Sequence, residues 1–311
     1  VHPRNLHRHG YDYQKLAATN PNLQQYIRDN GYGRLSIDYA QKEAVFALNK
    51  ALLECHYGVK KWFLPENALC PPVPGRADYL HHLADFLASE SNNGKIPEGP
   101  KVGIMDIGVG ASAVYPILGN ALYGWSFIGS DTNEASISHL SHWLKGFAAA
   151  NGGLAKSLET RFQPNSKHIF EGIIKKGEFI DATLCNPPFH SSAEDAERRT
   201  KRKWKQLGLD QKMQSTKSFG GASHELWCEG GEVAFIQQMI QESAKFATQV
   251  LWFTSLVSRK TTLPFLEKDF EAVKPIKKCV IEMGQGQKIS RFIAWTFLDK
   301  AQHNAWGGFR F

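Results

Sequence analysis

Cysteine is scarce in this chain: Cys55, Cys70, Cys185, Cys228 and Cys279 are the only five among 311 residues. An odd number with no Cys-x-x-Cys spacing argues against a disulfide framework and a thiolate zinc site, and a reducing, cytoplasmic setting is expected. The 12 histidines show no His-Glu-x-x-His or comparable ligand spacing, so no metal is expected. No run nears the roughly 18 apolar residues of a membrane helix, and no N-terminal segment has the basic-then-apolar layout of a secretion signal. Neither a membrane partner nor secretion is expected. The first residue is Val1, which leads us to expect a few residues before it. Acidic residues are outnumbered, 30 against 37 Lys plus Arg, and the formal charge of +7 favours an anionic partner. With 42% hydrophobic and 22% charged residues, the composition is that of a soluble globular chain with room for one large core and a smaller domain.

Residues 1 to 98 read as mostly helical. Ala44, Val45, Leu48, Ala51 and Leu52 recur at helical spacing, as do Tyr79, Leu80, Leu83, Phe86 and Leu87. Between them, Leu64 to Gly75 is rich in proline and reads as an ordered, extended link. Ser91 to Pro100 has linker composition and sets the expected boundary between an N-terminal module (1–98) and a second domain (99–311). Beyond it, strands at 102–107, 127–131, 158–162, 180–185, 250–255, 279–283 and 292–297 alternate with helical stretches. That pattern predicts an α/β fold, a mainly parallel sheet covered on both faces. The last two strands flank Gly284-Gln-Gly286 as an antiparallel edge hairpin, with a loop longer than the tightest turns.

Ile104-Met-Asp-Ile-Gly-Val-Gly-Ala-Ser112 places Gly108 and Gly110 between a strand and a helix. Glycines there permit a tight turn and close approach of a ligand, and the helix start offers free N–H groups. Asp131 ends the next strand, placed to take both hydroxyls of an adenosine ribose. A dinucleotide and S-adenosylmethionine (SAM) both fit this spacing, as does a purely structural turn. Asp106 before the glycines, and Ser112 where a dinucleotide site prefers a third glycine, favour SAM.

Ile180-Asp-Ala-Thr-Leu-Cys-Asn-Pro-Pro-Phe-His190 carries the most information. A buried strand delivers Asn186 to the sheet edge where ligands bind. Asn186 Oδ1 and the carbonyl of Pro187, held rigid by Pro188, make two acceptors for an exocyclic amine, and Phe189 stacks on the base, which must be unpaired. The competing reading is a turn with a core phenylalanine. His190 is given no catalytic role. Downstream, Arg198, Arg199, Lys201, Arg202, Lys203 and Lys205 surround Trp204 and are placed to hold a phosphate backbone, or else form a solvated segment. Arg4 and Arg8, with His2, His7 and His9, form a second basic patch. Arg76 is a candidate for the cofactor carboxylate, for RNA or for a structural ion pair. The glycine-bounded stretch His224 to Gly231 opens a long helix, and its acids are candidates to order the substrate side.

With these motifs in hand, the chain resembles the bacterial ribosomal RNA large subunit methyltransferase F family, and is similar to the eukaryotic methyltransferase-like enzymes that modify U6 small nuclear RNA. The likeness runs through His2-Pro-Arg-Asn5, Leu69-Cys-Pro-Pro-Val-Pro-Gly-Arg-Ala-Asp-Tyr79, Asp106-Ile-Gly-Val-Gly-Ala111, Asp181 to His190, Glu225 to Phe235, Trp252 to Ser258 and Ser290 to Phe297. The resemblance implies a class I SAM-dependent methyltransferase fold, Rossmann-like, behind a small helical RNA-binding module. It implies N6-methylation of one adenosine (number 1618) of 23S rRNA, free or in an assembling particle; a monomer is expected, since one RNA site needs one pocket. By the family's pattern Arg76, Asp106, Gly108, Gly110, Ser112, Asp131 and Asn186 border the cofactor, and Asn186, Pro187, Pro188 and Phe189 hold the adenine. Relatives vary between Ser and Asn at position 112 and often carry Glu where Asp131 stands. Methylation of a protein glutamine, of another nucleic-acid amine, or an idle RNA-binding assembly factor are the alternative readings.

Overall fold

The structure is a computed structural model that describes residues 1–311 apart from 67, 147–149, 151, 189–227 and 286–287. Helix α1 (Tyr13–Thr19) starts at Asp12, whose carboxylate accepts the N–H of Lys15 at 3.0 Å. A short ribbon of β1 (Arg28–Asp29) and β2 (Leu35–Ser36) leads to α2 (Lys42–Tyr57). The predicted stripe Ala44, Leu48, Ala51 and Leu52 is the buried face of α2, and Gly58 ends the helix at φ +68°. Helix α3 (Val73–Ser91) begins earlier than expected. The sequence predicts an extended link through Gly75, but Val73, Pro74 and Gly75 form the first turn, where a proline's missing N–H is no loss. Arg76 therefore projects from the start of a helix.

The remaining elements alternate: β3 (Gly103–Ile107), α4 (Val114–Tyr123), β4 (Ser126–Asp131), α5 (Glu134–Gly146), α6 (Gly152–Ser157), β5 (Leu158–Phe162) and β6 (Ile180–Cys185). Then come α7 (Gly231–Ser243), β7 (Val250–Val257), α8 (Leu263–Val273), β8 (Lys277–Gln285), β9 (Lys288–Thr296) and α9 (Lys300–Arg310). The sheet order is β5-β4-β3-β6-β7-β9-β8. Strands β3 to β7 are parallel, and β9 runs antiparallel to β7 and β8. The hairpin corrects one detail. Gln285 pairs with Lys288, leaving two residues between the strands, because polar edge positions extend both strands past the apolar pattern that marked them.

Neighbouring residues of β3 show why the strands read as continuous apolar runs. Ile104 belongs to a core shared with α2, α3 and α4, while Met105 faces α7 and α8 on the other side. The N-terminal helices thus pack directly on one sheet face. Tyr79 of α3 shares a 2.7 Å hydrogen bond with Thr254 of β7. At the opposite edge from the glycine turn, Asp181 is fully buried and accepts from Trp306 Nε1 (2.7 Å), Arg310 Nη2 (2.8 Å) and the N–H of Gly103 (2.6 Å). This clips α9 to the starts of β3 and β6.

The N-terminal basic patch is corrected in its histidines. His2 and His7 are buried, and burial pushes His7 down to about 4, leaving it neutral at pH 7. His2 bonds Asp85 at 2.8 Å and stacks on His81. Arg4 pairs with Asp85 at 2.7 Å and donates to Tyr123 Oη at 3.2 Å, so its charge is engaged within the protein. Arg8 is exposed and donates to His9 and to the Pro3 carbonyl.

Candidate active site

Strand order reverses between β3 and β6, and parallel sheets open a crevice at the carboxyl ends of such a pair. Ile107 lies opposite Cys185, so the residues after them, Gly108 and Asn186, stand side by side at that edge. One cavity brings together Arg76, Gly108, Gly110, Ser112, Asp131, Asn186 and Pro188. Pro187 is buried beside it. Phe189 and the basic residues Arg198, Arg199, Lys201, Arg202, Lys203 and Lys205 lie outside the described residues.

The glycine turn is held by its own backbone. Gly108 and Gly110 have φ of +75° and +59°, which a side chain strains. The N–H groups of Gly108 and Val109 both donate to the Ser130 carbonyl at 2.9 Å. Asp131 pins the turn from the next strand, Oδ2 accepting from Gly110 N and Oδ1 from Asn133 N, each at 2.8 Å. A carboxylate at this strand end is the kind of acceptor that a ribose hydroxyl requires. Gly129 has a packing role, since a Cβ there would lie 2.9 Å from Val109 Cγ2.

Three polar groups around the cavity lack partners among the described residues: both oxygens of Asp106, Oδ1 of Asn186 and Nε of Arg76. Such groups are costly when buried, and their convergence marks a ligand site. Burial holds the Asp106 carboxyl well above its ordinary range; the Arg76 guanidinium pulls it down and Asp131 pushes it further up. Arg76 donates to Tyr115 Oη at 2.9 Å and lies over that ring. Asp106 therefore waits for a cation or an N–H donor.

Sequence reasoning missed several residues that line the cavity or brace its wall. Trp62, almost fully buried, donates from Nε1 to the Ser112 carbonyl at 3.0 Å and so ties the N-terminal module to the turn. Gln163, just past β5, donates its N–H to the Asp131 carbonyl at 2.9 Å. Glu242 of α7 accepts the N–H groups of Ile169 (2.8 Å), Phe170 (2.9 Å) and Glu171 (2.6 Å), fixing the loop that brings His168 to the cavity. His168, Glu171 and Glu242 lie close enough to share an ion. The amides already engage Glu242, and Lys245 pairs with Glu171. Only the rule that ligands gather at strand ends pointed toward Gln163; no motif marks Trp62 or Glu242.

The sequence profile of an RNA methyltransferase family matches residues 1–299. The chain is 48% identical over 311 residues to the ribosomal RNA large subunit methyltransferase F of Pseudomonas aeruginosa strain LESB58, covering 98% of this chain and 90% of that one. It is 49% identical over 306 residues to the protein of the same name in Pectobacterium atrosepticum, covering 98% and 96%.

The chain belongs to this family.

Membership in the methyltransferase F family accounts for the sheet order, which is that of the class I SAM-dependent methyltransferases. The human METTL16 catalytic domain in complex with the MAT2A 3′UTR hairpin 1 has the same fold, with a TM-score of 0.75, 24% identity and 96% coverage of both chains. The N-terminal domain of human METTL16 in complex with SAH matches at 0.71, with 24% identity over 96% of this chain and 99% of that one. SAM fits the methyltransferase F cavity described here. Its adenosine suits the glycine turn and Asp131, and its positive charges suit the unpartnered Asp106. Among the described residues, no helix is long and apolar enough to cross a membrane.

Proposed function

We propose that this chain transfers a methyl group from SAM to N6 of one adenosine in 23S rRNA, the position being adenosine 1618. Free rRNA or an assembling large subunit is the substrate, and the enzyme acts as a cytoplasmic monomer. Residues 1–98 serve as the RNA-binding module and residues 99–311 as the catalytic domain. The observation that carries the reading is Asn186 Oδ1, buried and without a partner among the described residues, at the same cavity as the glycine turn. The names of the relatives and the formal charge of +7 support an RNA substrate.

When bound, SAM supplies an electrophilic methyl group. Arg76, Asp106, Gly108, Gly110, Ser112 and Asp131 hold it. The adenine N6 lone pair is delocalised into the ring and is a weak nucleophile. Asn186 Oδ1 and the Pro187 carbonyl accept the two N6 hydrogens, which stabilises the positive charge that grows on nitrogen and aims the amine. The two prolines keep this backbone from relaxing away. No strong base is needed beforehand, because the proton becomes acidic only once nitrogen is alkylated and then leaves to solvent. Phe189 stacks on the base, and the basic residues from Arg198 to Lys205 hold the flanking phosphates.

The test is transfer of isotope-labelled methyl from SAM to 23S rRNA lacking the modification, both free and in immature particles, with mass spectrometry of the digested nucleosides. Labelled N6-methyladenosine at one site is expected. Label on another base, or on neither substrate, overturns the reading.

A further inference from the structure

A second cavity lies on the N-terminal module, outside the site described above. It opens between the turn of helix at Pro21–Tyr26, one side of α2 and the proline-rich link. Along α2, Lys42, Phe46 and Lys50 follow at one-turn intervals and face it, and Gln25 and Tyr26 close the opposite side. Gln25 Nε2 donates to the Asn22 carbonyl at 3.2 Å, which orients its amide, and Lys42 Nζ is held 2.7 Å from the Glu66 carbonyl. Glu43 and Glu66 also border the opening, so its charges balance. Two aromatic rings, an oriented amide and balanced charge suit a planar heterocycle with donors and acceptors on its edge.

The position of this cavity relative to the candidate active site is fixed in two ways. The link between them is shared: Leu69 and Pro71 line the catalytic cavity, while Ala68 and Cys70 line this one. Successive side chains of an extended segment point to opposite sides. One thickness of chain therefore separates the two spaces. In addition, Phe46 stacks on Trp62 with ring centroids 5.4 Å apart, and Trp62 bonds the Ser112 carbonyl of the glycine turn.

We infer that this cavity receives a second unpaired base of the RNA substrate, from a nucleotide close to the methylated adenosine along the strand. Phe46 and Tyr26 provide stacking surfaces, Gln25 reads the base edge, and Lys50 lies near the sugar-phosphate. The inference rests on the proposed RNA activity. It adds a specificity site to a pocket that otherwise reads one adenine.

Binding and steady-state transfer are measured on an RNA hairpin containing the target adenosine, for the parent, Gln25→Ala, Lys50→Ala and Phe46→Leu, the last preserving bulk against Trp62. Loss of one stacked base weakens RNA binding about 5- to 150-fold, and the expected effect is a rise in KM for RNA within that range, with the SAM affinity retained. A series of hairpins with single abasic positions locates the nucleotide. One abasic position near the target weakens the parent but adds nothing to Phe46→Leu. Unchanged RNA affinity in all three variants, or strictly additive losses at every abasic position, overturns the inference. Absence of transfer by the parent to the intact hairpin and to 23S rRNA overturns the underlying activity instead.

Discussion

Replacing Asp106 by Asn keeps the side chain's size and removes its charge, and the structure specifies the consequences. Asp106 is 1% exposed and neither oxygen has a partner among the described residues. Burial raises its folded-state pKa above the unfolded value near 3.8. As pH rises through that unfolded value, the unfolded chain gives up its proton first while the folded chain retains it. The stability associated with this group is complete below about pH 3.8 and is lost as pH rises through the folded-state pKa. Asp106→Asn lacks that slope. In the absence of ligand the variant gains on the parent as pH rises, and this is read from urea unfolding at a series of pH values between about 5 and 8. Binding reverses the preference. A cationic cofactor selects the ionised carboxylate, so below the folded-state pKa the parent releases a proton on binding SAM. Loss of one charge-assisted hydrogen bond is worth about 1.5–3 kcal/mol, which weakens SAM binding roughly 10- to 150-fold in the variant. Titration calorimetry in buffers of different ionisation enthalpy measures affinity and proton release together. Equal affinity and equal proton release in parent and variant would refute the assignment of Asp106 as the cofactor's counter-charge.

Asn186→Ala removes the unpartnered acceptor; kcat falls by about 10²- to 10³-fold while SAM affinity changes little, and turnover within a fewfold of the parent sinks the role. Gly129→Ala drives a methyl into Val109, which lies within the glycine turn, so thermal denaturation should show a loss of about 1–3 kcal/mol together with weaker SAM binding. An unshifted melting curve contradicts that close packing. Arg310→Met strands the buried carboxylate of Asp181 with only Trp306 and the Gly103 amide; urea unfolding should register a loss of about 3 kcal/mol. A loss below about 0.5 kcal/mol, the scale of an ordinary surface change, argues that the Arg310–Asp181 pair does not help to hold α9.

Much of the α/β fold was legible because its signals are local. The runs around Met105 and Leu184 are apolar over a few residues, and each falls in a strand buried on both faces. The spacing of Gly108, Gly110 and Asp131 fits a nucleoside site or a structural turn, and the structure joins them through the bond from Gly110 to the Asp131 carboxylate. The errors arose where a local rule was incomplete. Proline in Leu64 to Gly75 suggested extended chain, yet Pro74 sits in the one helical turn that tolerates it. The edge hairpin carried too few apolar residues near its tip to show how far β8 and β9 extend. His2 and His7 count as basic residues in a sequence, and only their burial makes them part of the core.

What the sequence determined by itself is the order of strands and helices, the glycine turn after β3 and the rigid Asn186-Pro-Pro188 after β6, which the structure brings to one cavity. Period, turn chemistry and backbone rigidity act over a few residues, so they can be read without knowing what surrounds them. The tertiary structure alone decided that Trp62 braces Ser112, that Glu242 holds the far wall of the cavity and that Asp181 receives α9. It also decided that Asp106 stands buried with no hydrogen-bond partner among the described residues. These depend on groups up to 129 residues apart along the chain, and no local pattern encodes which distant atoms close packing will bring within hydrogen-bond reach, or which it will leave without a partner.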